Sequence, residues 1–163
     1  VYMFISHLQD MTNVEFALPS VEEWEFAARG GDENALYAGS DDVERIAWYK
    51  DNSGGRPHPS DGLQGKEPNM FDIYDMSGNV SELCNTPFDN QGRYTICGGN
   101  YDSPASEVTV FSRDGFKTDE RSEKVGFRLV LRRTPVKEPC KRCNGTGMSE
   151  VGVCSICSGK GHE

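Results

Sequence analysis

The sequence predicts a domain that mixes helix and strand in separate runs, followed by a small cysteine module. Three observations carry this. Apolar residues recur at helical spacing over residues 1–11 and again over 20–29. From residue 79 onward the pattern shortens to strand-like runs rich in β-branched and aromatic residues. Beyond a linker with two prolines, Cys-x2-Cys-x-Gly-x-Gly occurs twice between residues 140 and 161.

The 163 residues suit one domain and a small appendage. Hydrophobic content is 36% and aromatic content 10%, enough for a core when aromatics carry much of the burial. Eighteen glycines and eight prolines without a period imply many turns rather than a fibre. The net charge of −9 is uneven: residues 132–163 hold six Lys/Arg against three Asp/Glu, residues 1–131 eleven against twenty-three. The acidic larger part excludes nucleic-acid binding through phosphates, since it has no basic surplus with which to release counterions. No apolar run reaches the length of a membrane span, and no signal-peptide pattern opens the chain.

The elements follow in order. Val1, Phe4, Ile5, Leu8 and Met11 form one apolar stripe, predicting a helix over 1–11. No cap precedes it, so the sequence reads as a fragment with further structure upstream. Thr12-Asn13 end it, and Phe16-Ala17-Leu18 make a short buried run before Pro19. Ser20 and Glu23 stand at capping-box spacing, opening a second helix with Val21, Trp24, Ala27 and Ala28 inward and Gly30-Gly31 at its end. Residues 32–70 predict a long loop pinned by Trp48-Tyr49. Residues 79–85 and 93–99 predict a hairpin across Asp89-Asn90-Gln91-Gly92, and 108–111 and 125–131 two more strands. Cys84 and Cys97 fall on the two hairpin strands. They read as two separate buried thiols, with a cross-strand disulfide as the alternative.

Residues 68–83 are the most informative stretch: Pro68-Asn69 mark a turn, Phe71, Ile73 and Tyr74 are apolar anchors, and Ser77-Gly78-Asn79 form a turn triplet before Glu82-Leu83. Asp75, Asn79 and Glu82 put three oxygen-bearing side chains within eight residues, which suits a hard cation such as calcium. A solvated turn between strands explains the same residues, because Asp, Asn and Gly favour turns for conformational reasons alone.

With these pieces in register, the chain resembles the formylglycine-generating-enzyme family, the sulfatase-modifying-factor domains. The resemblance rests on Leu-Pro-Ser-Val-Glu-Glu-Trp-Glu-Phe-Ala-Ala-Arg-Gly-Gly at 18–31, Asp-Asn-Ser-Gly-Gly-Arg at 51–56, the stretch 68–83, Gly-Gly-Asn-Tyr at 98–101 and Gly-Phe-Arg-Leu-Val at 126–130. It implies a compact, loop-rich α+β fold related to C-type lectins over residues 1–131, lacking the family's N-terminal part. It also implies a structural calcium held by side chains of Asp75 and Glu82 and carbonyls of Gly78 and Val80. A second family calcium site has Asn52 and Asp61 as its nearest counterparts.

The same resemblance argues against catalysis. Formylglycine-forming members use Cys-x4-Cys to hold copper, and thiolates suit Cu(I). The matching positions here are Ser103 and Val108, so no copper is expected. The family's sulfoxide synthases need a histidine triad, whereas this chain has only the scattered His7, His58 and His162. The reading is a non-catalytic module that binds a protein, small-molecule or glycan ligand around Asn100, Tyr101, Ser103 and Arg113. The alternatives are a lectin-like variable ligand-display protein of a phage or bacterium, and an oxidoreductase with altered chemistry at Cys84 or Cys97.

Residues 132–139 read as the linker and 140–163 as a zinc module. Cys140, Cys143, Cys154 and Cys157 supply four sulfurs, the tetrahedral set of a structural zinc with no open position. A segment this short folds on the metal's binding energy, and two disulfides are the alternative. The repeats resemble half of the DnaJ-type co-chaperone module. Zinc thiolates point to a reducing cytoplasmic compartment, calcium to the outside.

Overall fold

The computed structural model describes residues 1–60, 66–117 and 119–132, and the backbone of 148–149 and 152–153. The elements are helix α1 (Tyr2–Thr12), strand β1 (Glu15–Ala17), helix α2 (Val21–Arg29), the short helix α3 (Val43–Ile46), and strands β2 (Ser81–Pro87), β3 (Arg93–Cys97), β4 (Arg113–Lys117), β5 (Val125–Gly126), β6 (Val130–Arg132), β7 (Met148–Ser149) and β8 (Gly152–Val153). The result is mixed α and β with few helices. The chain divides into two units, residues 1–16 with 131–163, and Ala17–Val130.

In the first unit, α1 ends as Asn13 turns left-handed and donates to the Gln9 carbonyl. Of its expected apolar stripe only Ile5 is buried; Phe4 and Met11 are exposed. Strands β1 and β6 pair in a two-stranded sheet. Strands β7 and β8 form an antiparallel hairpin with Met148 opposite Val153, in the interval between the two Cys-x2-Cys pairs. The four cysteines lie outside the described residues.

In the second unit, α2 begins with the full capping box: Ser20 Oγ accepts from the Glu23 N–H and the Glu23 carboxylate from the Ser20 N–H. The helix ends at left-handed Gly30. Its inner face packs Val21, Trp24 and Ala28 against Tyr49, Met76 and Val110 in the core. The sheet runs β4-β3-β2-β5, with β2–β3 and β3–β4 antiparallel and β2–β5 parallel.

Three local expectations are corrected. Residues 108–111 are not a strand: Ala105–Glu107 make a 3-10 turn, and Val108 and Val110 are buried because they plug the core from a turn. The strand instead follows as β4, whose charged Arg-Asp-Gly-Phe-Lys sequence hides it. The expected final strand is two, β5 and β6, and the break between them carries Arg128 to Glu82. In 68–83 Ile73 packs against the core as an anchor, but Phe71 is exposed, and Met76 and Ser77 are the fully buried residues. The long loop is pinned as expected: Tyr49 is buried, and Trp48 stacks on His58 with ring centroids 3.8 Å apart. It also contains α3, too short for any periodicity to reveal.

Candidate functional site

The stretch 68–82 is a knot of buried polar groups. Asn69 Nδ2 donates to the Ala27 carbonyl at 2.6 Å and the Ala28 carbonyl at 3.1 Å, satisfying the end of α2. Its Oδ1 accepts from the N–H groups of Phe71 and Ile73. Asp72, Asp75 and Asn79 all adopt positive φ, so the chain coils tightly. Gly78 lets the Trp48 carbonyl in where a Cβ would overlap it. Asn79 then clasps the long loop: its Oδ1 accepts from the His58 N–H and its Nδ2 donates to the His58 carbonyl.

Glu82 closes the knot. Trp24 Nε1 donates to Glu82 Oε2 at 2.6 Å, and Arg128 Nη2 donates to Glu82 Oε1 at 2.6 Å and to the Tyr74 carbonyl at 3.2 Å. Arg128 also donates through Nε, so the pair is bidentate. Burial alone would lower the Arg128 guanidinium, but Glu82's hydrogen bond and charge outweigh it and hold the group above its usual value. Asp75 differs. Burial pushes its carboxyl up, and the Glu82 charge adds to this against the Ser60 hydrogen bond and Arg128.

These positions test the fit of calcium. Glu82 pairs with the Arg128 guanidinium, while Asp75 makes no ion pair among the described residues and lies in the field of Arg128 and Lys66. The oxygen chemistry of Asp75 fits a hard cation. Glu82 would share its oxygens between the ion, Arg128 and Trp24. Of the second set, Asn52 uses its Oδ1 on the Tyr49 N–H and its Nδ2 on Glu44 and the Ala47 carbonyl. Asp61 lies outside the described residues.

A cavity of about 340 Å³ opens beside the knot. Its wall includes Ser81, Asn100, Ser103, Glu107, Ser112 and Arg113, which brings three of the four expected ligand residues together. Gly99 makes this wall: at φ 66 it follows the Glu107 carbonyl so closely that a Cβ would overlap it. The Asn100 N–H donates to Ser103 Oγ at 3.3 Å, and Asn100 Nδ2 to Ser81 Oγ at 3.4 Å. Arg113 donates to the Phe111 carbonyl and pairs with Glu25 on α2. The fourth residue, Tyr101, is buried away from the cavity wall, its hydroxyl on Glu123 and its carbonyl accepting from Ser53.

Cys84 and Cys97 are free and buried, but they are not separate: their sulfurs lie 3.7 Å apart. The Cys84 thiol is pushed well up by its hydrogen bond to Cys97 and by burial. Sequence reasoning missed Ser81, Ser112 and Glu107 on the cavity wall, and Arg128 as the partner of Glu82. Only the Gly-Phe-Arg motif at 126–128 pointed at Arg128.

A capped helix on a short sheet, a coiled polar knot and a polar cavity define a loop-rich α+β domain of the formylglycine-enzyme type. The chain belongs to that family: the sulfatase-modifying factor enzyme 1-like domain matches residues 5–133. The chaperone protein LppX of Paenibacillus barcinonensis is 36% identical over 85 residues, 42% of this chain and 30% of that protein. The inactive C-alpha-formylglycine-generating enzyme 2 of Mus musculus is 28% identical over 129 residues, 69% of this chain and 42% of that protein. In structure, the Treponema denticola variable protein 1 superposes with a TM-score of 0.62 at 28% identity, over 71% of this chain and 47% of the other. The chain thus spans less than half the length of each of these relatives. No described helix is long and apolar enough to cross a membrane.

Proposed function

We propose that this is a non-catalytic member of the family, a binding module that takes its ligand or partner in the cavity lined by Asn100, Ser103 and Arg113. One observation carries the reading. Of the two positions that match the family's copper cysteines, Ser103 gives the cavity a hydroxyl and Val108 is a fully buried hydrocarbon in the core. Among the described residues the two thiols, Cys84 and Cys97, lie elsewhere, inside the sheet. The mouse relative is itself called inactive, which agrees with this reading.

The Paenibacillus relative's name favours a polypeptide as the partner. The Treponema protein's name favours the second reading, a lectin-like domain that displays a variable ligand surface. An oxidoreductase working through Cys84 or Cys97 is the rival from another class. A calcium on Asp75, Gly78, Val80 and Glu82 would hold the knot. A zinc on Cys140, Cys143, Cys154 and Cys157 would fold the tail, and the β7–β8 hairpin between the two cysteine pairs, which returns the chain on itself, supports that assignment.

Metal analysis of the purified full chain tests these together. About one zinc, one calcium and no stoichiometric copper is expected. One tightly held copper that disappears in Cys97→Ser overturns the non-catalytic reading. Chelating calcium is expected to lower the melting temperature, and an unchanged value removes the ion from Asp75 and Glu82.

A further inference from the structure

The two core thiols stand on neighbouring strands. Register places Cys97 opposite Glu82 and Ile96 opposite Leu83, so Cys84 sits diagonally from Cys97 on the same face of the sheet. Sulfur-to-sulfur distance is 3.7 Å, against about 2.05 Å in a disulfide, and a diagonal pair closes that gap with some backbone movement. The backbone offers that slack, because the β2–β3 ladder is irregular between Leu83 and Pro87. Neither sulfur faces a competing disulfide or a third cysteine among the described residues.

We infer that Cys84 and Cys97 form an oxidisable pair, a disulfide site that ties β2 to β3 when a thiol-oxidising couple is present. With oxidised glutathione as oxidant, one thiol loses its proton and attacks the glutathione disulfide, releasing one reduced glutathione. The second cysteine then attacks the protein sulfur of the mixed disulfide and releases the other. Two protein thiols are oxidised, one glutathione disulfide is reduced to two thiols, and the two protons pass to the leaving thiolates.

Both thiols are sealed in the folded domain, with exposures of 0% and 1%. Reaction therefore needs an opened or unfolded chain, and the buried bond is then shielded from reductant. A bond made this way closes a 14-residue loop, which favours the folded state by restricting the unfolded chain. The inference does not depend on what the cavity binds.

The test is to unfold the full chain, refold it in an oxidising glutathione buffer with zinc, alkylate under denaturing conditions, and map peptides by mass. The expected product is a cross-linked peptide pair joining Cys84 to Cys97, 2 Da lighter than the two reduced peptides. The melting temperature should rise by several degrees over the protein refolded with dithiothreitol, and the rise should vanish in Cys84→Ala. Recovery of both cysteines as alkylated free thiols, or of either as a stable glutathione adduct, overturns the inference. Mapping on the natural sequence keeps the test decisive even where Cys84→Ala does not fold.

Discussion

The stretches 68–82 and 98–114 look alike as sequence, both rich in Gly, Ser, Asn and Asp, yet they do opposite things with their polar groups. The first turns them inward: Asn69, Ser77, Asn79 and Glu82 are all buried, and each finds its partner inside the protein. The second turns them outward, so that Asn100, Ser103, Ser112 and Arg113 line a cavity. Buried polar groups are expensive unless paired, so the inward set must be fully matched and specifies one conformation. The outward set can stay partly matched because water, or a ligand, completes it. A turn-rich composition therefore does not separate scaffold from site; where the partners lie does.

Substitutions can break this contrast. Glu82→Gln keeps the shape but takes away the carboxylate that pairs with Arg128 and leaves it only the charge of Asp75, and should cost about 3 kcal/mol in denaturant unfolding, the low end for breaking a buried pair because Arg128 keeps some contact with water. Asn69→Ala removes four hydrogen bonds and orphans the last carbonyls of α2, so about 2 kcal/mol should be lost by the same measurement. Ser103→Ala, on the cavity side, should change stability by no more than about 0.5 kcal/mol. A loss there as large as at Asn69 would mean that the cavity wall is scaffold too, and the contrast would fall.

How much of this was legible follows from how far apart the partners sit in sequence. The α2 capping box joins Ser20 to Glu23 and was readable at once. Asn69 serves carbonyls 41 and 42 residues away, and Glu82 serves Trp24 58 residues back and Arg128 46 residues on. No local pattern announces such pairs. The strand expected at 108–111 failed for a related reason: Val108 and Val110 are apolar because a turn inserts them into the core, not because a sheet does. Strand β4 hid in a charged sequence because only its pairing with β3 makes it a strand. The cavity residues came from the family motifs alone. Their spacing carried no chemistry that a plain turn would lack.

The four-stranded sheet has one further consequence. Its outer strand on one side, β4, carries Arg113, Asp114 and Lys117, and on the other side β5 is only two residues long. Charged and very short edges are poor templates for a neighbouring chain's backbone. That sheet is thereby guarded at these two edges against growing by strand addition. In the binding role proposed above, recognition would fall to side chains, a mode in which specificity can be rewritten residue by residue without disturbing the sheet beneath.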